Sequence, residues 1–265
     1  MCLVFLALNR HERFPFILAA NRDEFHDRSA APAHFWNEWP DVIAGQDLEI
    51  PSTPPGTWLG MTRQGRIALI TNYRDPMNIR AQARSRGELV SRFLTDPDTT
   101  TESFLNTLRD TGDEYNGFNL VFGNTSGLTW YSNHSRTSQH LTTGIFGLSN
   151  ALLDSPWPKV DQGKERIHAL LTKVEPEPDD FFALLGDDTV YADHLLPETG
   201  VGIARERQLS ASFIRMDGYG TRCSTVIVCD KHGNVQFRER TFAPLTGAAH
   251  EADYRFQINA NGQTI

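Results

Sequence analysis

Cys2 stands directly after Met1 and ahead of an apolar run, Leu3 to Leu8. Methionine aminopeptidases generally remove Met when the next residue is small, and Cys qualifies. The mature chain would then begin with a thiol and a free α-amine on one residue. An α-amine has a pKa near ~7.7–8.0, so it can accept a proton at neutral pH. Nucleophile and general base would come from a single residue, with no histidine required. The competing reading is packing, because free cysteine is among the most buried residue types.

A second polar group follows one hairpin later. Asn21-Arg22-Asp23-Glu24 lies at the end of the apolar run Phe16–Ala20. If 2–8 and 16–20 pair antiparallel, the end of the second strand falls beside the start of the first. Asp23 could then accept a hydrogen bond from the α-ammonium, and Arg22 could favour the thiolate. An ordinary polar turn with a surface ion pair would read the same way. Asn72 and Asn150 each close an apolar run, where a side-chain amide can point into a cleft or simply form a turn. An amide N–H fixed toward a developing oxyanion contributes ~3–4 kcal/mol to acyl transfer. Arg222 precedes another apolar run and could pair with Asp23. Arg74, Arg80, Arg84 and Arg86 form a basic cluster just after Asn72. Arginines there suit an anionic ligand such as a carboxylate, a phosphate or haem propionates, with Arg74 and Arg86 as ligand-binding candidates. Alternatively they are a solvated loop paired with Asp75 and Glu88.

The elements that must hold these residues read as α+β. Apolar runs at Cys2–Leu8 and Phe16–Ala20 suit buried strands, and 58–62 with 66–73 suits a hairpin around Arg63-Gln64-Gly65. Ser85-Arg86-Gly87-Glu88 has capping-box spacing ahead of a helix carrying Leu89, Val90, Phe93 and Leu94. A second helix covers Thr101–Arg109. Strands return at Phe118–Phe122, Leu128–Ser132 and Gly144–Leu148, helices at Pro156–Lys173 and Asp179–Leu185. The stretch 187–217 shows no clear pattern. A last hairpin joins Ser224–Cys229 to Val235–Arg240. Helices fall between hairpins rather than alternating with single strands, which favours two mainly antiparallel sheets with helices outside.

The motifs Met1-Cys2-Leu3, Asn21-Arg22-Asp23-Glu24, Thr71-Asn72-Tyr73-Arg74, Ser85-Arg86-Gly87, Gly147-Leu148-Ser149-Asn150 with Trp157-Pro158-Lys159, and Thr221-Arg222-Cys223-Ser224-Thr225-Val226 occur in this order across nearly the whole chain. Together they resemble the NRDE family, the family of the transport and Golgi organisation protein 2. That family in turn resembles the N-terminal cysteine nucleophile hydrolases, which include penicillin V acylase, bile salt hydrolase and acid ceramidase. The resemblance implies a four-layer αββα sandwich and cleavage of a linear, non-peptide amide through a thioester. It matches Cys2 to the nucleophile, Asn72 to the oxyanion-hole asparagine, and Asn150 to the residue that helps orient substrate and amine. Arg222 falls where many members carry an arginine close to the nucleophile. Asn21 and Asp23 fit the Asn-x-Asp part of those enzymes' Arg-Asn-x-Asp motif. Ala20 occupies the arginine position, and Arg22 stands one step past the asparagine. The resemblance also implies an alternative, a non-catalytic carrier of haem or of an acyl-CoA or lipid ligand in the same cleft.

Other chemistries find little support. None of the nine histidines has metal-ligand spacing, and no Walker loop, dinucleotide fingerprint or nucleophile elbow occurs, so no cofactor is expected. A net charge of −8 argues against a general nucleic-acid surface. Three cysteines fit neither a zinc site nor a disulfide framework. With no basic n-region and no apolar run near the ~20 residues of a membrane span, a cytoplasmic protein of one domain, 1–265, is expected.

Overall fold

The computed structural model describes residues 2–243 and 249–258. Met1 and its removal lie outside them. Two antiparallel sheets of seven strands each stack face to face.

The first sheet is built on the opening hairpin, β1 (Cys2–Leu8) and β2 (Phe16–Phe25). Its other members are β10 (Gly144–Leu148), β11 (Arg215–Met216), β12 (Tyr219–Cys229), β13 (Asn234–Phe242) and β14 (Ala249–Gln257). They run in the order β10-β1-β2-β12-β13-β14, with β11 also paired to β12. The second sheet runs in sequence order: β3 (Ala30–Phe35), β4 (Val42–Asp47), β5 (Leu59–Thr62), β6 (Arg66–Asn72), β7 (Phe118–Asn124), β8 (Gly127–Ser132) and β9 (Thr137–Leu141).

Strand alternation divides the side chains into layers. Val4, Leu6 and Leu8 of β1, with Phe16 and Leu18 of β2, point inward and meet Ile43, Leu59, Ile67, Leu69 and Val121 of the second sheet. Leu3, Phe5, Ala7, Ile17 and Ala19 point outward, under α3 (Pro158–Leu170) and α4 (Pro178–Leu185). The outer face of the second sheet carries Ala44, Ala68, Leu120 and Phe122 under α1 (Gly87–Thr95) and α2 (Thr101–Thr111). The result is the expected α+β, four-layer αββα sandwich. A short α5 (Ile203–Leu209) lies within the stretch that showed no pattern. Among the described residues no helix is long and apolar enough to cross a membrane.

Two local expectations change. Asn21-Arg22-Asp23-Glu24 is not a turn after a strand but part of β2. Neighbours on both sides, β1 and β12, continue the backbone ladder past the apolar residues, so polar side chains are carried inside a central strand. The capping box at Ser85 and Glu88 does not form. Arg86 is the N-cap without a side-chain bond, because the Glu88 carboxylate is taken by the Tyr115 hydroxyl and by Arg84.

Candidate active site

The register of the opening hairpin sets the site. Cys2 lies opposite Arg22 and Leu3 opposite Asn21. By strand alternation the Cys2 and Arg22 side chains share the inter-sheet face, while Asn21 and Asp23 point to the helix side. Arg22 therefore sits across the ladder from the thiol. An arginine at position 20 would lie on the same face one pair further along, where Ala20 now opposes Val4. Moving the arginine by two residues keeps its face and brings it level with Cys2.

Cys2 and Arg22 open into a cleft of ≈ 220 Å³ between the two sheets, lined also by Asp23, Trp58, Asn72 and Arg86. The Arg22 guanidinium sits over Trp58, its central carbon 4.1 Å from the ring centre. Trp58 can take that place because residue 45 is glycine: a Cβ there would come within 2.3 Å of the indole. Burial pushes the Cys2 thiol above its ordinary range, whereas Arg22 and the backbone N–H of Asp23 pull it back toward the thiolate.

On the helix side, Asp23 is 1% exposed and accepts a hydrogen bond of 2.7 Å from the Thr221 hydroxyl. Burial raises its pKa, opposed by Lys159, Thr221 and Arg74. Lys159 is itself buried at the start of α3 and donates to the carbonyls of Leu209 (2.8 Å) and Ala211 (3.3 Å). Burial lowers its pKa to about 8, with Asp23 acting the other way. The Asp23 carboxylate therefore lies on the opposite face of the sheet from the Cys2 sulfur.

Asn150 lies behind the cleft rather than in it. Its Nδ2 donates to the Asn72 carbonyl (3.0 Å), and its own carbonyl accepts from the Arg74 N–H (2.7 Å). The Ser149 hydroxyl donates to the Cys2 carbonyl at 3.3 Å. Residues 149–150 therefore tie the start of β1 in one sheet to the end of β6 in the other. That fixes Cys2 relative to Asn72.

The sequence model of the Transport and Golgi organisation 2 family matches residues 1–244. The chain belongs to this family. Its relatives include the Transport and Golgi organization protein 2 homolog of Homo sapiens, 36% identical, the alignment covering 91% of this chain and 93% of that one. The Mus musculus homolog is 34% identical over 98% of this chain and 100% of its own length. The Drosophila melanogaster protein is 29% identical over 92% and 93%. Among solved structures, a mutant conjugated bile acid hydrolase from Clostridium perfringens aligns with a TM-score of 0.48 at 9% identity, covering 98% of this chain and 97% of that one.

Within this family member the expected site residues separate into three groups. Cys2, Arg22, Asp23, Asn72 and Arg86 come together at the cleft. Asn150 supports it from behind. Arg222 and Arg74 are turned away. Arg222 is the extra residue of a bulge, since Thr221 pairs with Asp23 and Cys223 with Arg22. Its Nη1 donates to the carbonyls of Phe25, His26 and Arg28, so it holds the exit of β2 rather than pairing with Asp23. Arg74 is buried in an ion pair with Glu206 (2.8 Å) and stacks on Trp157, so it does not rim the cleft. Of the remaining cluster, Arg80 caps the Tyr115 carbonyl and Arg84 pairs with Glu88 and Glu114. Trp58, Ser149, Lys159 and Thr221 were not singled out as site residues from sequence. Trp58 falls in none of the quoted motifs, and the other three lie inside quoted motifs without a chemical role of their own.

Proposed function

We propose that the protein is a cysteine hydrolase that cleaves a small, linear, non-peptide amide, with Met1 removed and Cys2 as nucleophile. The observation that carries this reading is the register pairing of Cys2 with Arg22 on one face at the mouth of a cleft. The Cys2 sulfur attacks the amide carbonyl carbon and forms a C–S bond, while its α-amine takes the thiol proton. The same amine passes that proton to the leaving nitrogen as the C–N bond breaks. A thioester remains. Water, deprotonated by the amine, attacks the thioester carbonyl, releases the acid and returns the thiol. Asn72, with a backbone N–H, holds the oxyanion. Asp23 holds the amine, and Asn150 positions Asn72.

The reading takes 1–265 as a single domain, since both sheets contribute to the one cleft. It takes the compartment as reducing and cytoplasmic, supported by three cysteines that are all free thiols. The cleft is smaller than the ~300–1,000 Å³ of pockets for drug-sized ligands. That favours a small amide over haem or an acyl-CoA carrier cargo. Chromatographic assay of a panel of small N-acyl amides tests the proposal. Turnover should appear with at least one, and Cys2→Ser should lower it by about 100-fold or more. Equal turnover by Cys2→Ser would overturn it.

A further inference from the structure

The arginines around the cleft are not equivalent. Arg28 is bonded to Asp47 and lies 3.9 Å from Glu24, and Arg84 is bonded to Glu88 and Glu114. Those contacts account for the carboxylates of the cleft wall other than Asp23, whose side chain is on the helix side. Arg22 and Arg86 have no carboxylate within ion-pair distance among the described residues. Each is nevertheless held in place: Arg22 by its stack on Trp58, Arg86 by an Nη1 hydrogen bond to the Gly117 carbonyl at 3.1 Å. A guanidinium anchored by a ring face or a backbone carbonyl keeps its charge and most of its donors for another partner. Cys2 is electrostatically coupled to both.

From this geometry we infer that the cleft binds a substrate carrying a carboxylate close to its scissile amide, with Arg86 and Arg22 as the carboxylate's partners. The planar, bidentate reach of a fixed guanidinium fits a carboxylate, and ≈ 220 Å³ leaves room for a compact molecule rather than a long chain. The inference rests on Cys2 being the reacting group, but it requires neither a free α-amine nor turnover.

The test compares alkylation of Cys2 by iodoacetate and by iodoacetamide, followed by peptide mass. In both reactions the thiolate sulfur displaces iodide and forms a thioether, and the reagents differ only in carrying a carboxylate or a neutral amide. Cys223 and Cys229 are each 3% exposed and serve as internal controls. Iodoacetate should react with Cys2 faster than iodoacetamide. The preference should fall by about tenfold in Arg86→Gln while the iodoacetamide rate stays within a few-fold. Arg86→Lys should retain part of the preference, because charge persists without the fork. A neutral reagent that reacts faster, or an Arg86→Gln variant that slows both reagents equally, would overturn the inference. The hydrolase reading fails separately, through absence of Cys2-dependent amide turnover in a protein that still prefers iodoacetate. A circular dichroism spectrum and a urea midpoint matching the parent establish that each variant is folded.

Discussion

Removing Glu206 should destabilise the fold far more than removing an ordinary surface acid. The Arg74 and Glu206 side chains are only 5% and 3% exposed and meet at 2.8 Å. Glu206 Oε1 also accepts from the Thr199 N–H (2.9 Å) and hydroxyl (2.6 Å). Arg74 already has Nε and Nη2 buried without hydrogen-bond partners, and burial lowers its pKa with Glu206 opposing the shift. Glu206→Leu leaves that guanidinium buried and uncompensated, which costs about 3–5 kcal/mol. A surface pair would be worth only about 0–1 kcal/mol. The Arg74→Met/Glu206→Leu double variant removes both charges and should cost less than Glu206→Leu alone. Urea unfolding, read by fluorescence with unchanged slope, measures these two variants and the Arg74→Met single variant against the parent. A loss under about 1 kcal/mol in Glu206→Leu, or a double variant costing the sum of the singles, would refute the assignment of Arg74 as a structural charge.

Three further outcomes follow from the site. Lys159 has a folded pKa lowered from 10.5 to about 8, so over that interval the unfolded chain holds more protons and stability must rise with pH. The rise should total roughly 3 kcal/mol and be absent in Lys159→Met. Gly45→Ala places a methyl against the Trp58 indole and should cost about 1–3 kcal/mol in urea titration, with a changed tryptophan emission. Arg22 lowers the Cys2 thiol pKa against the rise caused by burial, so the midpoint of iodoacetamide alkylation against pH should move upward in Arg22→Met; an unchanged midpoint contradicts the pairing of these two residues.

Much of this architecture is legible in the chain because each sheet is assembled from hairpins whose inner face is apolar at every second residue. The Gly144–Leu148 strand follows from such a pattern, and the helix expected over Thr101–Arg109, which runs to Thr111, follows from apolar residues at helical spacing. The strands at Ala30–Phe35, Val42–Asp47 and Thr137–Leu141 lack that signal. The last is mostly exposed, and the first carries a proline within a bulged pairing to its neighbour. The polar half of β2 reads from sequence as the end of a strand, because charge usually marks one. Here pairing on both sides keeps it extended. The convergence of Cys2, Arg22, Asp23 and Asn72 followed from hairpin register and from family motifs. The fates of Arg74 and Arg222 did not, since they depend on Glu206, 132 residues away, and on a one-residue bulge. Neither a distant ion-pair partner nor a bulge leaves a mark in local sequence.

Intact-mass spectrometry of the native protein during turnover of a cleavable amide shows whether Cys2 works as an N-terminal nucleophile. The expected species is a chain lacking Met1 and, on acid quench, carrying an added acyl group that maps to Cys2 and is released by hydroxylamine. A turnover-competent protein that retains Met1, or an acyl group carried elsewhere, would contradict it.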